Sequence, residues 1–311
     1  MRTSPAVAVG LLLLLALLVL PLLGVAEYWI YILTIGFYYA ILAASWSLLV
    51  GYVGRISFAQ AAFAGLGAYA SALATTGLGW PVFATIPLGV LVAALVGLVI
   101  GRLCLELHGA YLGLTTIAFS EILRIAITAE YELTRGSLGL STPGLFATTD
   151  RVPYYYTLLA ALLGSLGVMW LVLRSRIGLF FHAIREDEEA AASLGVRVGR
   201  WKLVAFTLSS AFAGLAGGLY AHVVQLVSPA MMSLGEMGLI LSMAVIGGFH
   251  NIVYAALGGL FLEVLLEGLR EIGEWRLTLF GFVVIVILRY APNGFFGALA
   301  RRLGAERRSR P

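Results

Sequence analysis

Charged residues are scarce in this chain of 311 residues. Only 12% are aspartate, glutamate, lysine or arginine, whereas 61% are hydrophobic. Soluble proteins carry about 25% charged residues and need polar side chains over a large surface. The sixteen acidic and twenty basic residues cannot cover a soluble protein of this length. The composition therefore excludes an ordinary soluble protein and predicts an all-α integral membrane protein that forms a single domain over residues 1–311.

Several motifs of soluble chemistry are also missing. The single cysteine, Cys104, excludes an internal disulfide. The single lysine, Lys202, is followed by leucine, so no GxxxxGK[ST] phosphate loop exists and any ATP must be hydrolysed by another chain. The sequence contains neither an HExxH motif nor a nucleophile elbow, which argues against an enzyme. The four histidines share no metal-type spacing, so we expect neither a metal site nor a bound cofactor. They are His108, His182, His222 and His250.

Long apolar runs fill the chain instead. A helix needs about 20 mostly apolar residues to cross a membrane. Ten segments approach or reach this length: 6–24, 28–50, 54–76, 81–101, 109–129, 154–173, 201–227, 237–250, 252–269 and 276–291. The first could be a secretory signal, but its long apolar core and the spans that follow at once favour an uncleaved helix. Segment 237–250 is short and could be half of a broken helix or a re-entrant turn, which must be shielded by protein or water.

Arginine positions predict the orientation. The basic residues cluster near the ends of apolar segments, which is typical of membrane orientation and not of a nucleic-acid surface. The stretches 174–200 and 300–311 carry five arginines each, so both should be cytoplasmic. An even number of crossings must then separate them, and the last four segments satisfy this. Counting back predicts ten crossings with both termini in the cytoplasm.

Small residues dominate segments 54–76 and 201–227, and Gly214 with Gly218 forms a GxxxG pair. Helices in lipid associate through close backbone packing, which small residues permit. Two interpretations stay open and are compatible. The segments could simply pack tightly, or they could also line a path and slide against each other.

Charges inside the apolar segments are few. Glu121 and Arg124 lie three residues apart on one face of segment 109–129. A charge at membrane depth is costly and normally faces the protein interior with a partner. We therefore expect an ion pair, with a proton relay or a substrate contact as the alternatives. Glu263, Glu267 and Arg270 are expected to form a cluster at the membrane interface.

The cytoplasmic stretch 174–200 has its own pattern. Acidic residues 186–189 open an alanine-rich run, as suits the positive end of a helix dipole. Gly195 suits the C-terminal cap. We therefore predict a helix of two to three turns that lies along the inner face of the membrane. It could be a solvated helical loop or a docking element for a cytoplasmic partner.

Five ordered blocks resemble one family of transporters. They are GYVGRISFAQAAFAGLGAYASA at 51–72, HGAYLGLTTIAFSEILR at 108–124, LTRGSLGL at 133–140, the run 175–221 with AIREDEEAAASLGV and AGLAGGLYA, and VIGGFHNIVYAALGG at 245–259. The chain thereby resembles the LivM-type permeases of branched-chain amino-acid ABC importers. The resemblance implies a second homologous permease subunit, two cytoplasmic ATPase subunits that hydrolyse ATP, and an extracytoplasmic amino-acid binding protein. It also implies a bacterial or archaeal cytoplasmic membrane.

In such importers a short cytoplasmic helix couples the ATPase to the permease. The resemblance carries that role onto Arg185, Glu186, Asp187, Glu188, Ala191 and Gly195. It implies alternating access, with the binding protein docked on the loops 130–153 and 228–236. Candidates for the translocation pathway are Ser57, Gln60, Gly65, Tyr69, Thr115, Thr116, Gly247 and Gly248.

The sequence departs from the family pattern at several of these positions. Ala59-Gln60 stands where the family commonly has Gly-His, and His250-Asn251 replaces small residues after the Gly-Gly pair. These departures leave the cargo open between hydrophobic amino acids and urea, amides, aromatic acids or sugars. A stand-alone secondary transporter is a further alternative, for which Glu121 and Arg124 would be the charge relay.

Overall fold

The chain is almost entirely helical. The computed structural model describes residues 5–104, 107, 109–270, 273, 275–291 and 294–302. Its helices are α1 (Pro5–Val19), α2 (Glu27–Val53), α3 (Gln60–Leu78), α4 (Val82–Leu103), α5 (Ala110–Ala129), α6 (Tyr131–Thr134), α7 (Val152–Arg174), α8 (Arg176–Glu186), α9 (Glu188–Ser193), α10 (Val198–Val224), α11 (Leu234–Gly247), α12 (Ile252–Gly268), α13 (Trp275–Tyr290) and α14 (Phe295–Arg302). Two expectations, on His108 and on the basic tail from residue 303 onward, lie outside the described residues.

Six helices are long and apolar enough to cross a membrane: α2, α3, α4, α5, α7 and α10. The helices α11 and α12 form a pair bent by 120° at residues 248–251, and counting this pair as one span raises the number to seven. Each of the ten predicted apolar segments corresponds to a helix. Since α1 and α13 have only 15 and 16 residues, the described residues support six or seven crossings. The count of ten and the side of each terminus stay predictions.

Helix α2 lies at the centre of the bundle and is buried over most of its length. It packs against α12, α10, α7 and α11. Small residues bring the α2 and α12 backbones together: a Cβ atom added to Gly259 would lie 2.9 Å from the Cα atom of Ala40. Because α2 is apolar on every side, it can be surrounded by other helices without burying a charge.

A second packing centre joins α3, α4 and α10. Gly67, Gly89 and Gly214 meet there, and a Cβ atom on any of the three would collide with the backbone or side chains of the neighbouring helices. Gly217 approaches the carbonyl of Ala64 in the same way, whereas Gly218 is only in ordinary contact distance of its neighbours. Small residues on segments 54–76 and 201–227 thus permit close helix packing. The close contacts of α10 are made by Gly214 and Gly217, and the second glycine of the GxxxG pair, Gly218, does not share in them.

The segment between α2 and α3 departs from the sequence prediction. Segment 54–76 was expected to be helical from residue 54, but α2 ends at Val53, Gly54 caps it with a φ of +74°, and α3 begins only at Gln60. We call residues 54–59 the irregular segment. It lies against the bundle, and Ser57 and Ala59 are fully buried. Distant side chains satisfy its backbone: the Trp46 Nε1 donates to the Ser57 carbonyl at 2.8 Å. Buried non-helical backbone needs such protein partners for its polar groups.

The bundle has two distinguishable ends. Residues 176–196, the turn at 248–251 and the irregular segment lie at one end. At the other end, which we call the far end, strands β1 (Leu140–Ser141) and β2 (Leu226–Val227) pair antiparallel, with Leu140 opposite Val227. Helix α11 begins at the far end, just after β2 and the short 3-10 helix Pro229–Met232, and runs to the turn at 248–251.

Candidate functional site

The coupling segment, residues 176–196, consists of two short helices. Helix α8 was not predicted, and the extended backbone of Asp187 separates it from α9. The Asp187 carboxylate accepts hydrogen bonds of 3.0 Å from the N–H groups of Glu189 and Ala190, which caps α9. Gly195 ends this helix at a φ of +85°, and the N–H of Val196 closes back onto its last turn. The sequence therefore shapes this segment locally, through one cap at each end of α9.

Arg185 attaches α8 to the bundle. Its guanidinium donates a hydrogen bond to the carbonyl of Gly51 near the end of α2. Its other terminal nitrogen lies 2.9 Å from Nδ1 of His250 in the α11–α12 turn. Burial and the Arg185 charge lower the pKa of His250, so the neutral imidazole, which can accept this hydrogen bond, is favoured. Arg185 thereby links the coupling segment to α2 and to the bent pair.

Glu188 attaches α9 to the bundle by a charged bridge. Its two carboxylate oxygens accept from Arg55 in the irregular segment and from Lys202 in α10. Arg55 also donates to the carbonyl of Leu107 at 2.9 Å. Both cations are nearly buried, with side chains 11% and 6% exposed, while Glu188 is 34% exposed. This carboxylate therefore connects the irregular segment and α10 to the coupling segment, and Arg55 adds a contact to the backbone of residue 107.

The predicted coupling residues divide between two sides of the segment. Three face the bundle and are buried or half-buried: Arg185, Glu188 and Ala191. Three are exposed: Glu186, Asp187 and Gly195. Sequence reasoning missed the bridge partners Arg55 and Lys202. It also missed Leu194, a residue that is 86% exposed, although a leucine within a polar run is a signal that could have marked it.

Gln60, a pathway candidate, belongs to a closed polar network. Its side-chain nitrogen donates to the Ser45 hydroxyl and to the Ser209 carbonyl, the latter at 3.2 Å. The Ser209 hydroxyl donates to the Ser45 carbonyl at 2.7 Å. All three residues are buried. The network holds α2, α3 and α10 together and has no opening toward a path in this conformation.

Ser57 and Thr116 are brought together around the irregular segment. The N–H of Phe58 donates to the Thr116 hydroxyl at 2.9 Å, and the Ser120 hydroxyl donates to the Phe58 carbonyl at 3.2 Å. Thr115 lies apart on the exposed side of α5, with its hydroxyl bonded to its own helix. Helix α5 thus bonds the backbone of the irregular segment with the hydroxyls of Thr116 and Ser120, whereas Thr115 lies on its exposed side.

The other pathway candidates lie in two separate places. Gly65 accommodates the side chain of Met232, and the Tyr69 hydroxyl is 3.5 Å from the carbonyl of Val227. Both therefore contact the stretch that joins α10 to α11. Gly247 and Gly248 lie instead at the bent pair, where Gly247 packs against the backbone of α12. The eight candidates do not form one site in this chain.

The outward side of α5 carries the Glu121–Arg124 pair. The Arg124 Nε donates to a Glu121 oxygen at 3.0 Å, and a second contact joins the same groups. The Glu121 side chain is 45% exposed and the Arg124 side chain is 33% exposed, so the pair does not face the interior of this chain. Large apolar side chains are exposed on the same helix, including Tyr111, Leu114 and Ile122. The ion pair suits contact with protein or water more than contact with lipid, whereas the apolar side chains suit either protein or lipid.

At the far end, Glu267 and Arg270 form an ion pair. Arg270 donates to Glu267 at 3.0 Å, and the Tyr28 hydroxyl donates to the same carboxylate. Glu263, predicted in the same cluster, interacts electrostatically with the α2 residues Tyr31 and Tyr39. Within the described part of the chain, no three histidine, cysteine or acidic side chains are grouped so as to hold a metal ion.

A bundle of apolar helices with an anchored, charged segment at one end is compatible with a membrane transport permease. The family described as branched-chain amino acid transport system, permease component, matches residues 28–288, and this chain belongs to that family. The predicted resemblance is therefore confirmed.

Relatives share most of the chain. The high-affinity branched-chain amino acid transport system permease protein LivM of Escherichia coli is 33% identical over 292 residues, covering 85% of this chain and 68% of LivM. The permease protein LivH of Escherichia coli is 26% identical over 286 residues, covering 85% of this chain and 92% of LivH. A probable LivM permease of Methanocaldococcus jannaschii is 24% identical over 231 residues, or 67% of each chain. No solved structure matches the chain.

Proposed function

We propose that this chain is the membrane-spanning subunit of an ATP-driven importer of branched-chain and other hydrophobic amino acids. It lies in the cytoplasmic membrane of a bacterium or archaeon, crosses it ten times and keeps both termini inside. It works with a second homologous permease, two ATPase subunits that hydrolyse ATP, and an extracytoplasmic binding protein. The similarity to both LivM and LivH, whose names describe branched-chain amino acid transport permeases, supports the cargo and the paired permeases.

The coupling segment is the observation that carries this proposal. Its exposed residues, which include Glu186, Asp187, Leu179 and Leu194, offer charges and apolar side chains to an ATPase subunit. Its other side is fixed to the bundle by Arg185 and Glu188. A displacement of the segment must therefore move α2, α10 and the bent pair, or break buried charge contacts that are costly to break.

The path lies between the two permeases, and α5 forms part of its wall. The middle of a 20-residue apolar helix lies deep in the membrane, where half-exposed charges are disfavoured beside lipid tails. Contact of Glu121, Arg124 and Thr115 with the second permease or with water in the path removes that penalty. The substrate passes along this face as the bundle alternates between its two open states.

A charge reversal tests the coupling in the complete transporter, reconstituted in liposomes with its binding protein. Glu186→Lys changes the exposed side of the coupling segment, and Glu27→Lys makes the same change at an exposed site at the far end. We expect both variants to insert and assemble. Glu186→Lys should lose leucine uptake and the ATPase stimulation by loaded binding protein, whereas the control retains both.

Two results would contradict the proposal. Normal coupling in Glu186→Lys would remove the role of the coupling segment. Leucine uptake by this chain reconstituted without the ATPase subunits would identify a stand-alone transporter instead.

A further inference from the structure

A group of tyrosines and carboxylates lies between α2, α10, α11 and α12 toward the far end of the bundle. We call it the aromatic cluster, and its members are Tyr31, Tyr38, Tyr39, Tyr220, Glu236 and Glu263. The Tyr38 ring packs against the rings of Tyr39 and Tyr220, with centroids 4.9 Å and 4.5 Å away. Neither the coupling segment nor the outward face of α5 uses these residues.

Glu236 is the charged centre of the aromatic cluster. It lies in the first turn of α11, and its carboxylate accepts a hydrogen bond of 2.5 Å from the Tyr39 hydroxyl. It also acts electrostatically on Tyr38 and Tyr220, and the Tyr38 ring packs against the rings of both Tyr39 and Tyr220. Among the described residues no lysine or arginine forms an ion pair with Glu236. A half-buried carboxylate without a cation suits a site that a cation visits.

The Tyr38 hydroxyl points to a missing ligand independently of this charge. Tyr38 is 1% exposed, and its hydroxyl has no hydrogen-bond partner among the described residues. Buried hydroxyls are normally satisfied, and an orphaned one weakens the fold. A hydroxyl in this state, beside a carboxylate without a counter-ion, indicates a position that a polar group occupies in another state of the protein.

Together these groups fit an alkylammonium ion. A carboxylate and a hydroxyl oxygen accept hydrogen bonds from an ammonium group, and tyrosine faces attract a cation within about 6 Å of the ring centroid. Glu236 and the rings of Tyr38, Tyr39 and Tyr220 present acceptors and aromatic faces, which favour an ammonium group over a carboxylate. The Arg151 guanidinium lies over the Tyr31 ring, 5.1 Å from its centroid, and Tyr31 is not part of this set. Every amino acid carries an ammonium group, whereas amides and urea are uncharged.

We propose that Glu236, Tyr38, Tyr39 and Tyr220 form an ammonium subsite, which holds the α-ammonium group of an amino acid arriving at the far end. This inference rests on the proposed function for the direction of transport and the class of cargo. It also places substrate contact in a part of the chain that the pathway candidates do not include.

Binding to the detergent-solubilised complex, without ATP or binding protein, tests the subsite. Saturation-transfer NMR at millimolar concentration would compare leucine, isoamylamine, which lacks the carboxylate, and isocaproate, which lacks the ammonium group. We expect leucine and isoamylamine to bind and isocaproate not to bind. Glu236→Gln should weaken both bound probes at least about tenfold, as expected for loss of a charge-assisted hydrogen bond. The matched control is Glu27→Gln, an exposed carboxylate in the first turn of α2.

Tyr38→Phe separates binding from folding. Removing an orphaned hydroxyl should leave the thermal unfolding midpoint unchanged or raise it, yet it should reduce the stabilisation that isoamylamine gives. The control is Tyr156→Phe, whose hydroxyl donates to the Leu18 carbonyl at 2.9 Å outside the cluster. An equal effect of isoamylamine on parent and variant would overturn the role of Tyr38.

The outcomes distinguish the subsite from the proposed function. Unchanged leucine binding in Glu236→Gln overturns the subsite, as does equal competition by potassium, which would identify an inorganic cation site. Absence of ATP-driven amino-acid uptake by the parent complex would refute the proposed function, while the binding comparison would still report on the aromatic cluster.

Discussion

The bridge made by Glu188 gives a prediction whose size can be worked out. The carboxylate joins Arg55 and Lys202, two cations whose side chains are 11% and 6% exposed. Glu188→Gln keeps the shape of the side chain and removes the charge that both cations face. The substitution therefore leaves two nearly buried positive charges close together.

Breaking a fully buried ion pair costs about 3 to 5 kcal/mol. Glu188 is 34% exposed, and solvent screening reduces such contributions toward those of surface pairs. We therefore expect Glu188→Gln to lower the free energy of unfolding by about 2 kcal/mol. Lys202→Met should cost less, because it removes one of the two cations and keeps an apolar stem in place.

A double-mutant cycle measures the bridge itself. Unfolding in detergent would be followed for both single variants and for the double variant, with coupling expected at about 1 to 2 kcal/mol. Glu189→Gln, an exposed acid in the same turn, is the control and should change stability by less than about 0.5 kcal/mol. In liposomes, Glu188→Gln should raise the ATP hydrolysed per leucine imported, because the segment moves without the bundle.

Two outcomes would refute this reasoning. Additive effects in the cycle would show that Glu188 and Lys202 do not act together. An unchanged ratio of hydrolysis to uptake in a destabilised Glu188→Gln variant would leave the bridge as a purely structural contact.

Three further predictions concern packing, backbone satisfaction and pH. Gly67→Ala places a methyl group against the backbone of α10 and should lower the free energy of unfolding by about 1 to 3 kcal/mol. Gly77→Ala is the control in the same unfolding assay. It lies on the same helix with open space around it and should be tolerated. Thr116→Val removes the acceptor for the Phe58 N–H in the irregular segment and should lower the free energy of unfolding by about 1 to 3 kcal/mol. Thr115→Val should have little effect on it. A larger loss of stability in Thr115→Val than in Thr116→Val would contradict the role given to Thr116. The lowered pKa of His250 favours its neutral form in the folded protein, so its contribution to stability is complete above the unfolded value of about 6.5 and is lost as pH falls through the lower folded value. Thermal stability should therefore decrease more between about pH 7 and pH 5 in the parent than in His250→Gln.

Composition and charge placement predict much of this fold. All ten apolar segments correspond to helices, and the break predicted after residue 247 is present as the bent pair. The irregular segment was not predicted, because apolar content does not report backbone conformation. Its conformation depends on Thr116 and Ser120, which are remote in sequence and supply the hydrogen bonds that an α-helix would have made internally.

The candidate site shows the same limit. The family resemblance identified Arg185 and Glu188 as coupling residues, and the acids before the alanine-rich run predicted the helix that Glu188 begins. Their partners Arg55 and His250 are distant in the chain, and no spacing rule connects them. The aromatic cluster was not predicted for a related reason. Its tyrosines are spread over two helices, and each alone reads as an ordinary apolar residue of a membrane span.

Helix α11 joins two contacts described separately above. Its first turn holds the Glu236–Tyr39 hydrogen bond, and the turn after its last residue holds the Arg185–His250 contact. The helix has 14 residues, about 21 Å at 1.5 Å per residue, and a helix of that length is stiff along its axis. The two contacts therefore cannot vary independently. If binding at the far end shifts α11, the coupling free energy between that binding and the Arg185–His250 contact, which attaches α8, is the same in both directions. Through this one helix, an amino acid bound at the proposed ammonium subsite would change the attachment of the coupling segment before any ATP is consumed.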